Sequence, residues 1–215
     1  MKERLTITLL ELMFAKSAAQ IRLEHEHLSK LDSIGGDGDH GTAMLRAFEM
    51  LEKSKPAADA TALNVWLKDA GWRVLDVDGG ASTAILGTFI AGMGDAEVGL
   101  SWDCPQMAAS LRAGLTALEK QTKARRGDKT MMDALVPAVE AFCEAASVGR
   151  EISEAMQEAE AAAVKGADST KDMIARYGRA KFLGEKTRGS PDAGATSVAL
   201  LFRGFSMGLS LGKEE

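Results

Sequence analysis

The sequence has few cysteines, no excess of basic charge and no long apolar run. Its two cysteines, Cys104 and Cys143, lack metal-type spacing, so we expect neither a disulfide framework nor a zinc site. A net charge of -5 argues against a nucleic-acid partner, because neutralising phosphates requires clustered Lys and Arg. No apolar run approaches the length needed to cross a bilayer, so no membrane segment is expected. These absences together favour a cytoplasmic protein.

The composition that is present fits a helical domain with a substantial core. At 215 residues and 46% hydrophobic, the chain is expected to form a single domain over residues 1–215. The N-terminus imitates a signal peptide, but Glu11 interrupts its apolar stretch and the helical pattern continues past residue 20. We therefore interpret this segment as a structural helix.

Apolar residues recur at helical spacing along most of the chain, and strand-like alternation is nearly absent. The pattern predicts an all-α fold, an up-and-down bundle of eight antiparallel helices. The predicted helices lie near residues 4–30, 42–54, 59–76, 82–94, 105–123, 130–147, 151–177 and 195–211.

Four connections between these helices are rich in glycine and in acidic or hydroxyl residues. They read GGDGDHG, DVDGGAST, RRGDKTMMD and RGSPDAGATS, and they precede the second, fourth, sixth and eighth predicted helices. Since successive helices of an up-and-down bundle alternate in direction, loops before even-numbered helices lie at one end. We expect a site at that end.

The first of these loops predicts a site for a hard cation. Asp37 and Asp39 are two residues apart, Asp32 lies just upstream, and glycines allow the backbone to bend tightly. Three neighbouring carboxylates repel one another unless a cation neutralises them, and oxygen ligands favour Mg²⁺ or Ca²⁺. A dinucleotide loop is excluded because the motif follows a helix rather than a strand, and an EF-hand because its twelfth position is Phe48. Capping of the next helix is the structural alternative.

The second loop places glycines before Ser82 and Thr83 at a predicted helix start, an arrangement that suits phosphate or a plain N-cap. Carboxylates beside a phosphate loop are typical of sites that hold a nucleoside polyphosphate with Mg²⁺. There is no Walker A motif, so a P-loop enzyme is excluded. In the third loop Thr130 can cap the sixth helix, and Met131 is either a core residue or a polarizable surface for a flat base. Arg179 and the PDAG loop add a base or ribose contact and a second helix N-terminus.

The stretches LDSIGGDGDHGTAM, DGGASTAILGT, GDKTMMDALVPA and GRAKFLGEKTRGSPDAGATS resemble, in order, the motifs of the dihydroxyacetone kinase L family, the nucleotide-binding part of glycerone-type kinases. The resemblance runs from about residue 5 to residue 211. It implies a barrel of eight antiparallel helices that binds ADP or ATP at one end through two Mg²⁺ ions. The implied metal ligands are Asp32, Asp37 and Asp39, and the implied nucleotide contacts are His40, Gly41, Thr42, Ala43, Ala81, Ser82, Thr83, Met131, Arg179, Asp192, Ala193 and Gly194.

The resemblance also implies partners. In this family a separate subunit or domain, the K type, holds the ketose covalently through a histidine, and that part has no counterpart here. We expect phosphoryl transfer to dihydroxyacetone or a tetrulose on such a subunit, with ATP as donor or with a phosphotransferase-system protein recharging bound ADP. No residue is assigned a catalytic role, and a homodimer is left open.

Two departures from the family pattern bear on this expectation. Thr83 stands where the family usually has glycine, and PDAG replaces the commoner D-P-G. Two other readings of the chain stay open: a nucleotide-sensing adaptor read by a partner protein, and a structural helical domain with a divalent-ion site.

Overall fold

Eight α-helices account for most of the computed structural model, which describes residues 2–56, 62–96 and 98–212. The predicted all-α class is confirmed. The third helix was expected to begin at residue 59, and residues 59–61 lie outside the described part. Within that part the strands are β1 (Leu5–Thr6) and β2 (Ser101–Trp102), an antiparallel pair. The helices are α1 (Ile7–Asp32), α2 (His40–Lys53), α3 (Leu63–Leu75), α4 (Gly80–Met93), α5 (Cys104–Gln121), α6 (Met132–Ser147), α7 (Ile152–Ser169) and α8 (Ala193–Leu211).

Contacts between the helices follow chain order. Each helix contacts the next one along the chain, and α1 also contacts α8, so the series of contacts closes on itself. The buried apolar side chains, which come from all eight helices, form one continuous cluster. Burial of this apolar surface is the main favourable term in folding.

The contact between α1 and α8 is especially close because α8 carries glycines where the helices meet. A side chain at Gly204 would collide with the backbone of Ser17, and one at Gly208 with that of Met13. The Ser17 hydroxyl also donates a hydrogen bond to the Leu201 carbonyl at 2.9 Å. These two helices therefore form a rigid pair that carries Asp32 at the end of one helix and Ala193 at the start of the other.

Three helices begin two residues earlier than predicted. The first turn of α2 contains His40 and Gly41, that of α4 contains Gly80, and that of α8 contains Ala193 and Gly194. Glycine has low helix propensity, so the sequence pattern assigned these residues to the loops. The glycine-rich motifs consequently place helix N-termini, and not only loops, at the predicted site.

The seventh helix is shorter than predicted. The pattern indicated a helix over 151–177, but α7 ends at Ser169 and a 3₁₀ turn follows at Thr170–Asp172. The Thr170 hydroxyl donates to the Ala167 carbonyl and accepts from the Asp192 backbone N–H, which ties this point to the start of α8. A further 3₁₀ segment, kinked at Gly184, occupies Arg179–Thr187. Tertiary hydrogen bonds thus override the local helical pattern here.

Helix α8 is an exception to the expectation that no segment is long and apolar enough to cross a membrane. By length and composition alone Ala193–Leu211 passes that test. Of the 18-residue apolar stretch within this helix, however, 72% is buried inside the protein. A helix that is apolar on all sides is typical of the interior of a helical protein, and packing against α1 and α7 explains the composition.

Candidate functional site

The four glycine-rich connections meet around one cavity of about 450 Å³. The convergence predicted from the alternation of helix direction is therefore confirmed. A cavity of this size is within the range that holds a drug-sized ligand or a cofactor. Its walls come from residues between positions 31 and 40, 79 and 85, 122 and 132, and 177 and 194.

Three carboxylates cluster on one side of this cavity. Asp32 is the last residue of α1, Asp37 lies in the following turn, and Asp39 is the N-cap residue of α2. One oxygen from each lies within 4.8 Å of the others. The Gly38 backbone N–H donates to Asp32 Oδ2 at 2.8 Å, and Gly38 has a left-handed φ of 78°. Glycine at this position lets the chain turn back so that the two later aspartates face the first.

Charge distinguishes the members of this acidic cluster. Arg179 forms an ion pair with Asp37, and its hydrogen bond lowers the pKa of that carboxyl. Desolvation, followed by the charge of Asp37, raises the pKa of Asp39. A divalent cation would remove this repulsion, and the donor set, three carboxylates and no nitrogen or sulfur ligand, fits a hard ion such as Mg²⁺.

His40 links three of the helices around the cavity. Its Nδ1 lies 2.9 Å from the Ser82 hydroxyl on α4, and its Nε2 lies 3.3 Å from the Ser197 hydroxyl on α8. Burial lowers the pKa of this imidazole, so the ring is neutral near pH 7, with one nitrogen a donor and the other an acceptor. The arrangement fits a hydrogen-bonding residue that positions Ser82 better than it fits a general acid.

Helix N-termini supply hydrogen-bond donors to the same cavity. The N-cap residues of α2 and α4, Asp39 and Gly79, make no side-chain hydrogen bond to their helices. First-turn N–H groups of such helices need partners from outside the helix, and they attract anions. Gly80, Ala81 and Ser82, the first residues of α4, line the cavity. This wall can therefore accept phosphate oxygens.

Another part of the cavity wall is partly apolar and includes the start of α8. Met131 is 6% exposed, and a side chain at Gly194 would come within 2.5 Å of its Cγ. Asp192 caps α8 by accepting a hydrogen bond from the Ala195 N–H at 2.7 Å. Burial raises the pKa of Asp192 to about 6. Met131, Asp192, Ala193 and Gly194 all line the cavity.

The structure brings most of the predicted site residues together, but four of them do not line the cavity. The Thr83 hydroxyl is directed at the Val77 and Gly80 carbonyls, and the residue is buried. Gly41 packs so closely on α1 that a side chain there would collide with the His25 carbonyl. Thr42 is exposed and Ala43 is buried, and neither lines the cavity. The predicted site residues that do line it are Asp32, Asp37, Asp39, His40, Ala81, Ser82, Met131, Arg179, Asp192, Ala193 and Gly194.

Sequence reasoning did not assign a role to several lining residues. Tyr177, the only tyrosine of the chain, and Ile34 lie at the cavity with exposed fractions of 37% and 45%. Lys129, 6% exposed, also lines the cavity and belongs to the GDKTMMDALVPA stretch, but the sequence pattern assigns it no role. The sequence feature that could have identified Lys129 as a site residue is its position in a glycine-rich motif just before a helix. Thr130 itself accepts a hydrogen bond from the Met132 N–H at 3.2 Å at the start of α6.

Comparison with known proteins gives a consistent picture. The family model described as the DAK2 domain matches residues 34–207. The ADP-binding subunit DhaL of the PEP-dependent dihydroxyacetone kinase of Escherichia coli K12 is 35% identical, over 84% of this chain and 86% of that protein. The L-erythrulose kinase of Pectobacterium atrosepticum is 36% identical over 81% of this chain but only 30% of its own length.

A solved structure supports the same fold. The dihydroxyacetone kinase of C. freundii, in complex with AMP-PNP and Mg²⁺, matches 96% of this chain and 35% of that chain with a TM-score of 0.71. The sequences are 24% identical in that comparison, so the likeness is one of fold.

Proposed function

The chain belongs to the DAK2 domain family, and on that premise we propose that it is the nucleotide-binding subunit of a short-chain ketose kinase. As one nucleotide-binding domain it holds Mg·ATP, or Mg·ADP that a phosphotransferase-system protein phosphorylates in place to ATP. It then passes the γ-phosphoryl group to a hydroxyl of a ketose, dihydroxyacetone or a tetrulose, on a partner subunit of the K type, and ADP remains. The eight helices form the closed antiparallel barrel of the family, and the protein works in the cytoplasm.

One observation carries this proposal: the acidic cluster and the uncapped start of α4 face the same cavity. Asp32, Asp37 and Asp39 provide oxygens for cations, while the first turn of α4 provides N–H groups for anions. A nucleoside polyphosphate with its metal ions requires both, and the apolar surface at Met131 suits the base.

Each group of site residues has its own role in this proposal. The three aspartates would hold two Mg²⁺ ions, which spread the negative charge of the phosphates and align them for transfer. His40 orients Ser82 toward the phosphates. Arg179 leaves Asp37 for the nucleotide once cations occupy the acidic cluster. Asp192 fixes the first turn of α8, which closes the site beside Met131.

The relatives support this division between subunits. The E. coli relative is named as an ADP-binding subunit of a PEP-dependent kinase, which favours recharging of bound ADP by a phosphotransferase-system protein. The L-erythrulose kinase extends far beyond the region that matches this chain, and we assign ketose binding to such an additional part. The C. freundii kinase structure contains AMP-PNP and Mg²⁺, the ligand pair that this cavity suits.

Replacing one metal ligand tests the proposal. Calorimetry should show ADP and ATP binding to the wild type in Mg²⁺, and Asp37→Asn should lose most of that affinity. Asp78→Asn, an exposed aspartate just before α4 that does not line the cavity, is the matched control and should bind normally. Unchanged nucleotide binding by the Asp37→Asn variant would contradict the metal assignment.

A second assay tests the reaction. Supplied with a ketose-binding subunit and dihydroxyacetone or a tetrulose, the wild type should support phosphoryl transfer and the Asp37→Asn variant should not. Nucleotide binding without any transfer, with either donor, would instead favour a nucleotide-sensing adaptor.

A further inference from the structure

Lys129 has a backbone conformation and a side-chain environment that its neighbours do not share. Among the residues that the structure describes, it is the only non-glycine residue with a positive φ, 59°. Its side chain is buried in the cavity wall. The ammonium donates hydrogen bonds to two backbone carbonyls, those of Thr170 and Ser190, both at 2.7 Å. A left-handed lysine is unfavourable, so its surroundings must stabilise it.

The two carbonyls belong to the two ends of one loop. The chain leaves α7 at Thr170, forms what we call the 172–188 loop, and returns at Ser190 before α8. The Gly189 N–H donates to the Lys171 carbonyl at 2.9 Å, and the Asp192 N–H donates to the Thr170 hydroxyl at 2.8 Å. We call this meeting of the loop ends the neck. Lys129, which comes from a different connection, adds a charged donor that bridges the neck.

The 172–188 loop carries residues that line the cavity. Tyr177, Gly178, Arg179 and Ala180 all face it, and Arg179 reaches the acidic cluster to pair with Asp37. Besides the neck and the Arg179–Asp37 pair, an ion pair between Arg176 and Asp128 at 3.6 Å also holds this loop. The Ala175 N–H donates to the Thr187 hydroxyl within the loop, and the Arg176 N–H donates to the Asp128 carbonyl next to Lys129.

We propose that Lys129 is a positioning residue that closes the neck of the 172–188 loop and so places Arg179 and the start of α8 against the nucleotide. A compact ammonium with three donors can bridge two carbonyls that converge on one point. Bonds from a charged donor are stronger than neutral ones, and a buried ammonium requires them. Asp192 also stabilises the charge of this lysine, while burial opposes it by lowering the pKa of the ammonium.

Hydrogen exchange of the nucleotide-free protein tests the neck directly. In Lys129→Met, the amides of Ala175, Arg176 and Gly189 should exchange at least about tenfold faster, the loss expected for charge-assisted bonds. Helices α1 to α6 should be unchanged. Lys171→Met is the matched control, because this exposed lysine contributes only its backbone carbonyl to the neck, and its side chain pairs with Asp168 outside the neck.

The Lys129→Gly variant tests the contribution of the side chain separately from that of the left-handed backbone conformation. Glycine accepts the positive φ without strain, so this variant keeps the turn while it loses the whole side chain, including the donor. It should loosen the 172–188 loop as Lys129→Met does. Exchange in the loop within twofold of wild type for either variant would overturn the proposal. Uniformly faster exchange in all eight helices would overturn it as well, because Lys129 would then support the whole fold.

The link to the nucleotide rests on the proposed function and has its own readout. Calorimetry with Mg·ADP should show about tenfold weaker binding by both Lys129 variants and normal binding by Lys171→Met. Loss of loop protection with unchanged affinity would overturn the positioning role. Absence of nucleotide binding by the wild type would contradict the proposed function, yet the exchange result on the neck would stand by itself.

Discussion

Removing one carboxylate from the acidic cluster should stabilise the metal-free protein and weaken the metal-loaded one. Asp39 is the best position, because its pKa is raised by desolvation and by neighbouring carboxylates and it is not paired with Arg179. Its nearest oxygen lies within 4.8 Å of one on Asp32. Two unit charges at that distance repel by about 0.9 kcal/mol in water. Asp39→Asn should recover about that much free energy of unfolding.

The assay is thermal unfolding in two buffers. In EDTA, a gain of about 1 kcal/mol in a chain of this size raises the Tm by about 2 to 4 °C. In Mg²⁺ with ADP at 100 times its Kd, binding adds about 2.7 kcal/mol to the wild type and should raise its Tm by roughly 5 to 10 °C. The variant should gain little, so the order of the two Tm values reverses between buffers.

We expect the order of the two Tm values to reverse only if Asp39 and its neighbouring carboxylates bind a common cation. Asp78→Asn should shift neither Tm in EDTA nor the response to Mg·ADP, because that exposed side chain lies outside the cavity. An Asp39→Asn variant less stable than wild type in EDTA, or one with the full response to Mg·ADP, would refute the reasoning.

Three further predictions address the surrounding structure. Gly194→Ala should weaken Mg·ADP binding about tenfold in calorimetry, with less than about 1.5 kcal/mol lost in urea unfolding, because the new Cβ pushes the flexible Met131 into the cavity. Asp192→Asn keeps the cap but cannot titrate. Because the folded-state pKa of Asp192 is raised from 3.8 to about 6, the stability that its bound proton contributes is fully present only below about pH 3 and is lost as the pH rises through 6. Wild-type stability should therefore fall by about 2 kcal/mol relative to the variant between pH 4 and 7. Gly41→Ala should cost about 3 kcal/mol or more in urea unfolding, because its Cβ would collide with the backbone carbonyl of His25.

Each of these predictions has a clear contrary outcome. Gly99→Ala is the control for the glycine variants, since its nearest neighbour would lie at 3.4 Å, and it should leave stability and binding unchanged. Normal nucleotide affinity of the Gly194→Ala variant would remove Met131 from the binding wall. A pH-independent difference between wild type and Asp192→Asn would show that this carboxyl is not protonated near neutrality. A fully stable Gly41→Ala variant would mean that α1 and α2 are not in such close contact.

The sequence predicted the helical class and the convergence of the glycine-rich motifs because both depend on periodicity and chain direction. It missed the exact helix starts, because glycines in the first turns of α2, α4 and α8 have low helix propensity and the pattern assigned those turns to the loops. It also extended α7 beyond Ser169, because hydrogen bonds from Thr170 to distant residues leave no trace in local periodicity. The role of Lys129 could not be predicted for the same reason, because the carbonyls that it binds lie 41 and 61 positions away in the sequence.

Thr83 shows the limit of assigning roles by position within a motif. Thr83 follows Ser82 directly, but successive residues of a helix point about 100° apart. The Thr83 hydroxyl therefore faces the protein interior, where it donates to backbone carbonyls. Proximity in sequence indicates the right helix end. Only the helical phase decides which neighbouring side chain reaches the cavity.

Because Arg179 is paired with Asp37, its guanidinium competes with a cation for that carboxylate. A divalent cation that enters alone must displace the guanidinium, and a nucleotide that enters alone meets carboxylates whose charge it shares. Under the proposed function, a nucleotide that enters together with the cation would give Arg179 a new partner, and the cation would neutralise the aspartates. Each ligand would then raise the affinity for the other, and by thermodynamic linkage it would do so by the same factor. We expect the metal ions and the nucleotide to be taken up and released together.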